Sequence, residues 1–220
     1  MSLFNGSISL NTTLATRWQR LTTPLTADVA LRETMFRQLS EAYGSSDRHY
    51  HTLTHIRSML DALERSGLAL QDPLVVQLAA WFHDAVYSYL RDDNEVRSAL
   101  LAKEFLSKTT LSAERCSRVV FLIERTKDHT QPQPAGDKDL LWFLDADLQI
   151  LGAPEADYWQ YARQVRQEYR LVPEFMYRRG RRKVLEKLLG VPQLYQTEDF
   201  RSRLEAAARR NLRAELQDLG

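Results

Sequence analysis

The stretch LVVQLAAWFHDAVY, residues 74–87, carries apolar side chains on nearly all sides of a helix. Asp72 and Pro73 come directly before it, and these residue types favour the N-cap and the first position of a helix. A helix that is apolar all round belongs inside a protein rather than on its surface. The stretch therefore predicts a central, buried helix that begins after Asp72.

The segments on both sides of this stretch also show helical periodicity, and Gly and Pro stand mostly between them. No segment shows the alternation of a β-strand over a useful length. The best loop candidate, QPQPAGDKD (131–139), is too short for a domain linker. We therefore predict one all-α domain over 1–220, with further helices over 28–43, 53–66, 93–107, 112–126, 140–151, 154–171, 173–189 and 199–216.

The composition indicates the class of protein and argues against several partners. The 220 residues are 44% hydrophobic and carry a net charge of +1, which gives no overall field to attract nucleic acid or a membrane. The single cysteine, Cys116, excludes an internal disulfide framework. The N-terminal MSLFNGSISL lacks the pattern of a signal peptide, and no apolar run is long enough to span a bilayer. We expect a soluble, cytoplasmic protein that binds neither nucleic acid nor membrane.

Polar residues interrupt two of the most apolar segments. His83 and Asp84 stand side by side in the buried helix, where a charge without a partner is costly. Asp145 and Asp147 interrupt the run LLWFLDADLQIL in the same way. Each interruption predicts a compensating metal ion, ion pair or hydrogen-bond network.

A third cluster lies in RHYHTLTH (48–55), which holds three of the five histidines of the chain. His51 and His55 are four residues apart, so at the start of a helix they would share one face. His49 is out of phase with both and is expected to be structural or exposed. The economical solution for all three clusters is convergence on one cation.

Together the clusters offer two imidazoles and two carboxylates, a ligand set that suits Mn, Fe, Co, Ni or Zn, and Mg less well. Such a cation would supply a nucleophilic water at neutral pH and polarise a phosphoryl oxygen. Asp145 and Asp147 lie about 200° apart around a helix, so only one of them should face the metal. If Asp147 does, Asp145 could orient a ligand imidazole.

The order of these groups, a histidine, an adjacent His-Asp pair and a distant aspartate, resembles the HD superfamily of metal-dependent phosphohydrolases. YHTLTH (50–55) looks like the YHxxxH stretch of the cyclic-nucleotide phosphodiesterases in that superfamily. Over nearly its full length the chain is similar to a bacterial group of predicted HD phosphohydrolases, on the motifs RHYHTLTHI, WFHDAVY, DNEVRSA, FLDADLQILG, QEY and ARRNL. The resemblance implies an HD-type helical bundle, with the metal site within 48–147 and helices over 154–218 packing on the core.

The resemblance also implies a role for each matched residue. It makes His51 the general acid that protonates the leaving oxygen. It implies hydrolysis of a phosphate ester by a metal-bound hydroxide. The metal ligands that it implies are His55, His83, Asp84 and Asp147.

Four more residues are candidates for catalysis or substrate binding, each with a structural alternative. Arg48 could clamp a phosphate or form a surface ion pair. Glu95 could position or deprotonate the attacking water, or cap the helix near Asp93. His129 could bind a second metal or phosphate, or cap a helix C-terminus. Arg166 could line the phosphate pocket or belong to a mixed, solvated surface.

The activity that follows is hydrolysis of a small phosphate mono- or diester, with a nucleotide favoured. Two other functions stay open: a non-catalytic nucleotide or metal sensor on the same scaffold, and a di-iron oxygenase of the same superfamily. The oxygenase needs more ligands than the four above, and Asp145 and His129 are the spare ones. The identity of the metal, the number of metal ions and the presence of a homodimer stay open as well.

Overall fold

The computed structural model describes residues 3–134 and 136–220. Over these residues the chain forms ten α-helices and no β-strand, which confirms the predicted all-α class. Met1 and Ser2, part of the stretch considered for a signal peptide, and Ala135, part of the predicted loop, lie outside the described residues. None of the described helices combines the length and the apolar character needed to cross a membrane.

The chain forms two compact units, Met1–Gly67 with Asp72–Lys127 and Leu68–Gln71 with Asp128–Gly220. The single domain expected for the whole chain stays a prediction. The helices of the first unit are α1 (Leu3–Thr22), α2 (Val29–Tyr43), α3 (Leu53–Arg65), α4 (Pro73–Phe82), α5 (Asn94–Leu106) and α6 (Ala113–Arg125).

The predicted central helix is α4, and its side chains form the middle of the first unit. The carboxylate of Asp72 caps it by accepting a hydrogen bond from the N–H of Val75 (3.2 Å), and Pro73 occupies the first turn. Most of its side chains are buried. The indole of Trp18 on α1 packs edge-on against Trp81 at a centroid distance of 5.3 Å. The helix is therefore surrounded, as its apolar sequence predicts.

The C-terminal end of this helix differs from the prediction. The apolar stretch continues to Tyr87, but α4 ends at Phe82, and the N–H of Ala85 donates to the Phe82 carbonyl (2.9 Å) in a tight turn. The buried hydroxyl of Ser98 on α5 then bonds both the N–H (3.0 Å) and the carbonyl (3.2 Å) of Val86. The Ser98 hydroxyl thus satisfies backbone groups of Val86 that a longer helix would have bonded. The His-Asp pair therefore lies in the turn after the helix and not within it.

Helix α1 is not predicted by the periodicity of the sequence. Its segment is rich in Ser, Thr and Asn, which are weak helix formers. Leu14, Trp18 and Leu21 are nevertheless buried in the first unit. Tertiary packing of these apolar side chains outweighs the weak intrinsic propensity of the segment.

The second unit is built around a short 3₁₀ turn that follows its first helix. Helix α10 (Glu198–Asp218) packs so closely on this turn that a Cβ added to Gly152 would lie 2.5 Å from the Cβ of Leu204. The side-chain amide of Asn211 donates to the carbonyls of Leu151 (2.8 Å) and Ala153 (2.9 Å). The elements of the unit are α7 (Lys138–Leu148), the 3₁₀ turn (Gln149–Gly152), α8 (Glu155–Glu168), α9 (Glu174–Gly190) and α10 (Glu198–Asp218).

The other predicted helices are confirmed, with ends displaced by a few residues. Helix α7, for example, begins at Lys138 rather than Leu140, because the Asp137 carboxylate caps it by accepting from the Leu140 N–H (3.1 Å). The predicted loop over 131–139 is therefore shorter than expected. Helix positions were readable from apolar spacing, and the caps decided their ends.

Candidate metal centre

Three of the four predicted ligands come together in the first unit. His55 lies in the first turn of α3, and His83 and Asp84 lie in the turn after α4. Nε2 of His83 is 3.3 Å from Nε2 of His55 and 3.0 Å from a carboxylate oxygen of Asp84. The donor atoms of the three residues all lie within 4.8 Å of one another, and both histidines are buried. This group could hold a metal ion.

The chemistry of the group suits a divalent cation. The carbonyl oxygen of Ala80 lies 3.0 Å from Nδ1 of His83 and can only accept, so Nδ1 carries the proton. In the neutral imidazole the lone pair is then on Nε2, which faces His55 and Asp84. Metal-binding histidines are commonly oriented in this way. Two imidazole nitrogens and one carboxylate oxygen are donors that Zn, Mn, Fe, Co and Ni accept.

His51 lies close to this group, but not on the helix that carries His55. Thr52 is the N-cap of α3, with extended backbone (φ −118°, ψ 178°), so His51 precedes the helix and the predicted shared helix face is wrong. The His51 ring stacks on Tyr87 at a centroid distance of 4.3 Å, and its centroid is 6.1 Å from that of His55. An extended N-cap thus keeps the two histidines near each other by another route. Its role as general acid stays a prediction.

Arg48 is also next to this site, and it is not a surface residue. Its side chain is buried, so the alternative of a surface ion pair is wrong. Nη1 donates to the carbonyls of Asp84 (2.6 Å) and His51 (3.4 Å), and Nη2 donates to the carbonyl of Ala85 (3.0 Å). The guanidinium therefore stabilises the backbone next to the candidate ligands by hydrogen bonding to its carbonyls. Its role as a phosphate clamp stays a prediction.

Glu95 lies in the first turn of α5, outside the group of convergent donor atoms. Its neighbour Asn94 has a structural task, because its amide accepts from the N–H of Ser88 (3.1 Å) and donates to the carbonyl of the same residue (2.9 Å). This bond pair holds the loop between α4 and α5. The role of Glu95 toward a water molecule stays a prediction.

The fourth predicted ligand, Asp147, lies on α7 in the second unit and pairs with another predicted site residue. Nε2 of His129 is 3.1 Å from a carboxylate oxygen of Asp147. The other ring nitrogen of His129, Nδ1, is buried and has no hydrogen-bond partner among the described residues. An imidazole with one unused nitrogen retains the capacity to bind a further group. The assignments of Asp147 and His129 stay predictions.

Asp145, the alternative metal ligand to Asp147, accepts hydrogen bonds from residues at the start of α10. Its buried carboxylate accepts hydrogen bonds from the N–H of Gln196 (2.8 Å), the N–H of Thr197 (2.7 Å) and the hydroxyl of Thr197 (2.7 Å). Burial raises the pKa of Asp145 to about 6, although these hydrogen bonds lower it. None of its hydrogen-bond partners in the described chain is an imidazole, so the expected orientation of a ligand histidine by Asp145 is wrong.

Arg166, the last predicted substrate contact, closes the C-terminal end of α8. Its guanidinium donates to the carboxylate of Glu174 (2.9 Å) and to the carbonyls of Tyr169 (2.7 Å) and Val172 (3.3 Å). It also lies over the ring of Tyr177, 4.6 Å from its centroid. A phosphate would have to compete with these contacts. Phosphate binding by Arg166 stays a prediction.

Comparison of the chain with protein-family models, curated proteins and solved structures gave no match. Function is therefore inferred from the residues and their geometry.

The carbonyl of Ala80 and the Ser98 hydroxyl shape the turn of the His-Asp pair, and neither is signalled by the sequence. A backbone carbonyl is present at every position, and a serine hydroxyl has many local uses.

Proposed function

We propose that the chain is a metal-dependent phosphohydrolase that cleaves a small phosphate ester, with a nucleotide as the favoured substrate. One observation carries the proposal: His55, His83 and Asp84, from segments far apart in the sequence, place their donor atoms within 4.8 Å of one another. The histidine pair is buried, and a backbone carbonyl orients one of its rings. The assignment of Asp147 as a further ligand stays a prediction.

The residues of the chain divide the remaining work. A divalent cation in this site would make water a nucleophile at neutral pH and polarise the phosphoryl oxygen. His51, fixed against the Tyr87 ring, is proposed to give a proton to the leaving oxygen of the ester. Glu95 is proposed to hold or deprotonate the attacking water. The role of His129 toward a phosphate stays a prediction.

The test begins with elemental analysis of the purified chain, followed by a screen of phosphate mono- and diesters in the presence of the metal found. Asp84→Ala removes a ligand and is expected to lose bound metal and to lower kcat/KM at least about 100-fold, because even groups behind the ligands cost 10–100-fold when removed. Asp92→Ala is the matched control, since Asp92 is an exposed acidic residue of the following loop.

Three results would contradict the proposal. Asp84→Ala with its full metal content would exclude this site. Tight nucleotide binding without release of phosphate by the metal-loaded chain would favour the sensor. Iron content coupled to oxygen consumption would favour the oxygenase.

A further inference from the structure

Arg48 is a buried cation that has no acidic partner among the described residues. Its side chain is only 8% exposed. Its contacts are with three backbone carbonyls and with the rings of Tyr43 and Tyr87, whose centroids lie 5.1 and 5.5 Å from the guanidinium carbon. A buried charge without a counter-ion is costly, and carbonyl oxygens and aromatic faces offset that cost in part. The burial of Arg48 therefore needs an explanation that a solvent-exposed arginine would not need.

The three carbonyls belong to the two segments that carry the metal ligands. The carbonyl of His51 lies just before α3, whose first turn holds His55. The carbonyls of Asp84 and Ala85 lie in the turn after α4. One guanidinium thus bridges both segments. Nη1 donates to both segments and Nη2 adds a second bond to the turn. A lysine ammonium carries its three N–H donors on a single nitrogen, so it cannot reproduce this arrangement of two coplanar nitrogens.

We propose that Arg48 is a positioning residue of the metal centre. It holds the segment before α3 against the turn after α4, and in this way brings the imidazole of His55 to that of His83. This role rests on the proposed metal site. It differs from the phosphate clamp, because a positioning residue acts on metal binding before any substrate is present.

The charge of Arg48 predicts the opposite change in metal affinity from a positioning role. The guanidinium is positive, so by charge alone it repels a metal cation bound near Asp84. Neutralising it would strengthen metal binding if charge were its main effect. Arg48→Gln is instead expected to weaken metal binding, since the bridge between the two segments is lost. The direction of the change therefore separates positioning from charge.

The experiment measures the Kd for Mn²⁺ and for Zn²⁺ by chelator competition on the full chain, without substrate. Arg48→Gln and Arg48→Lys are each expected to weaken binding by about 10- to 100-fold, the usual cost of removing a group that orients the ligands. Arg32→Gln is the matched control. Arg32 is equally buried, at 8% exposed, and donates to a backbone carbonyl of the same unit, that of Thr26. Its metal Kd is expected to stay unchanged.

Should Arg48→Gln prove too unstable to purify, Arg48→Lys carries the test, because it keeps the charge and most of the aliphatic stem. An unchanged or tighter metal Kd in a folded Arg48→Lys variant overturns the positioning role. An unchanged Kd with a raised KM for the ester also overturns it and restores the phosphate clamp. If the wild type itself binds no metal, or Asp84→Ala binds it normally, the proposed metal site fails first.

Discussion

At the end of α4, the proton on Nδ1 of His83 is held by the carbonyl of Ala80, and Nε2 points to His55. The residue types of this site were visible in the sequence, because a histidine and an aspartate in an apolar run demand compensation. Which ring nitrogen is free was not visible. That depends on the position of a carbonyl oxygen, which any residue type supplies.

Asp72 shows how one side chain serves two contacts. It caps α4 and also accepts hydrogen bonds from Nε (2.7 Å) and Nη2 (2.6 Å) of Arg115 on α6. Burial raises the pKa of the Asp72 carboxyl group, but the hydrogen bonds from Arg115 and Val75 outweigh burial and hold that pKa below its ordinary value. The charged form is therefore favoured in the folded state.

Asp72→Asn keeps a capping oxygen and removes the charge. Because the folded pKa lies below the unfolded one, the carboxylate stabilises the fold above about pH 4, and this contribution is lost as the pH falls further. At pH 7 the variant is expected to unfold with a free energy lower by up to about 1 kcal/mol, since the Arg115 pair is partly solvated. Urea titrations at several pH values check this, and a difference that stays constant down to pH 3 would contradict it.

At the scale of elements, the caps and the apolar periodicity predicted most helices. Asp28 and Ser112 accept hydrogen bonds from the N–H groups of Leu31 (2.9 Å) and Arg115 (3.3 Å), at helix starts that the sequence indicated. Two features escaped because tertiary contacts decided them. Helix α1 forms because the indole of Trp18 is buried. Helix α4 is not continued because the Ser98 hydroxyl on α5 bonds the N–H and the carbonyl of Val86.

Two glycines of the second unit give opposite expectations for the same substitution. Gly180 lies within α9, and apart from its chain neighbours and the adjacent helix backbone no described heavy atom is within 4 Å of an added Cβ. Gly180→Ala is expected to raise the free energy of unfolding by about 0.5–1 kcal/mol, because glycine loses more entropy in a helix. At Gly152 the added Cβ would meet the Cβ and, at 2.8 Å, the carbonyl of Leu204. Gly152→Ala is expected to lower it by about 1–3 kcal/mol.

Urea unfolding of both variants beside the wild type measures the two effects. The pair controls for the substitution itself, since each adds one methyl group. Equal effects of the same sign would contradict the local surroundings described for α9 and for the 3₁₀ turn.

At the scale of the whole molecule, the second unit has an ionic cluster inside it. Arg181 on α9 donates from Nε (2.7 Å) and Nη2 (2.9 Å) to the two carboxylate oxygens of Glu215 on α10. The hydroxyl of Tyr158 on α8 donates to the same carboxylate. Burial and the Glu215 charge raise the pKa of Tyr158, so its hydroxyl remains a donor. The cluster joins three helices through groups that satisfy one another.

Arg181→Met removes the positive partner and leaves Glu215 buried. The free energy of unfolding is expected to fall by about 3–5 kcal/mol, the usual cost of a buried charge left without its partner. The double variant Arg181→Met/Glu215→Leu is expected to recover much of that loss, since no charge remains to be solvated. Urea unfolding compares the three proteins, and a double variant as unstable as the single one would contradict this account.

The sequence by itself determined the all-α class, the position of most helices and the residues of the candidate metal centre, because apolar spacing and polar interruptions are properties of residue order. The tertiary structure decided the rest. It brought His55 to the turn of His83 and Asp84, and it placed Arg48 between their segments. It also bonded the Asp145 carboxylate to the N–H groups at the start of α10. These outcomes depend on contacts to backbone groups distant in the chain, and residue types alone do not specify such contacts.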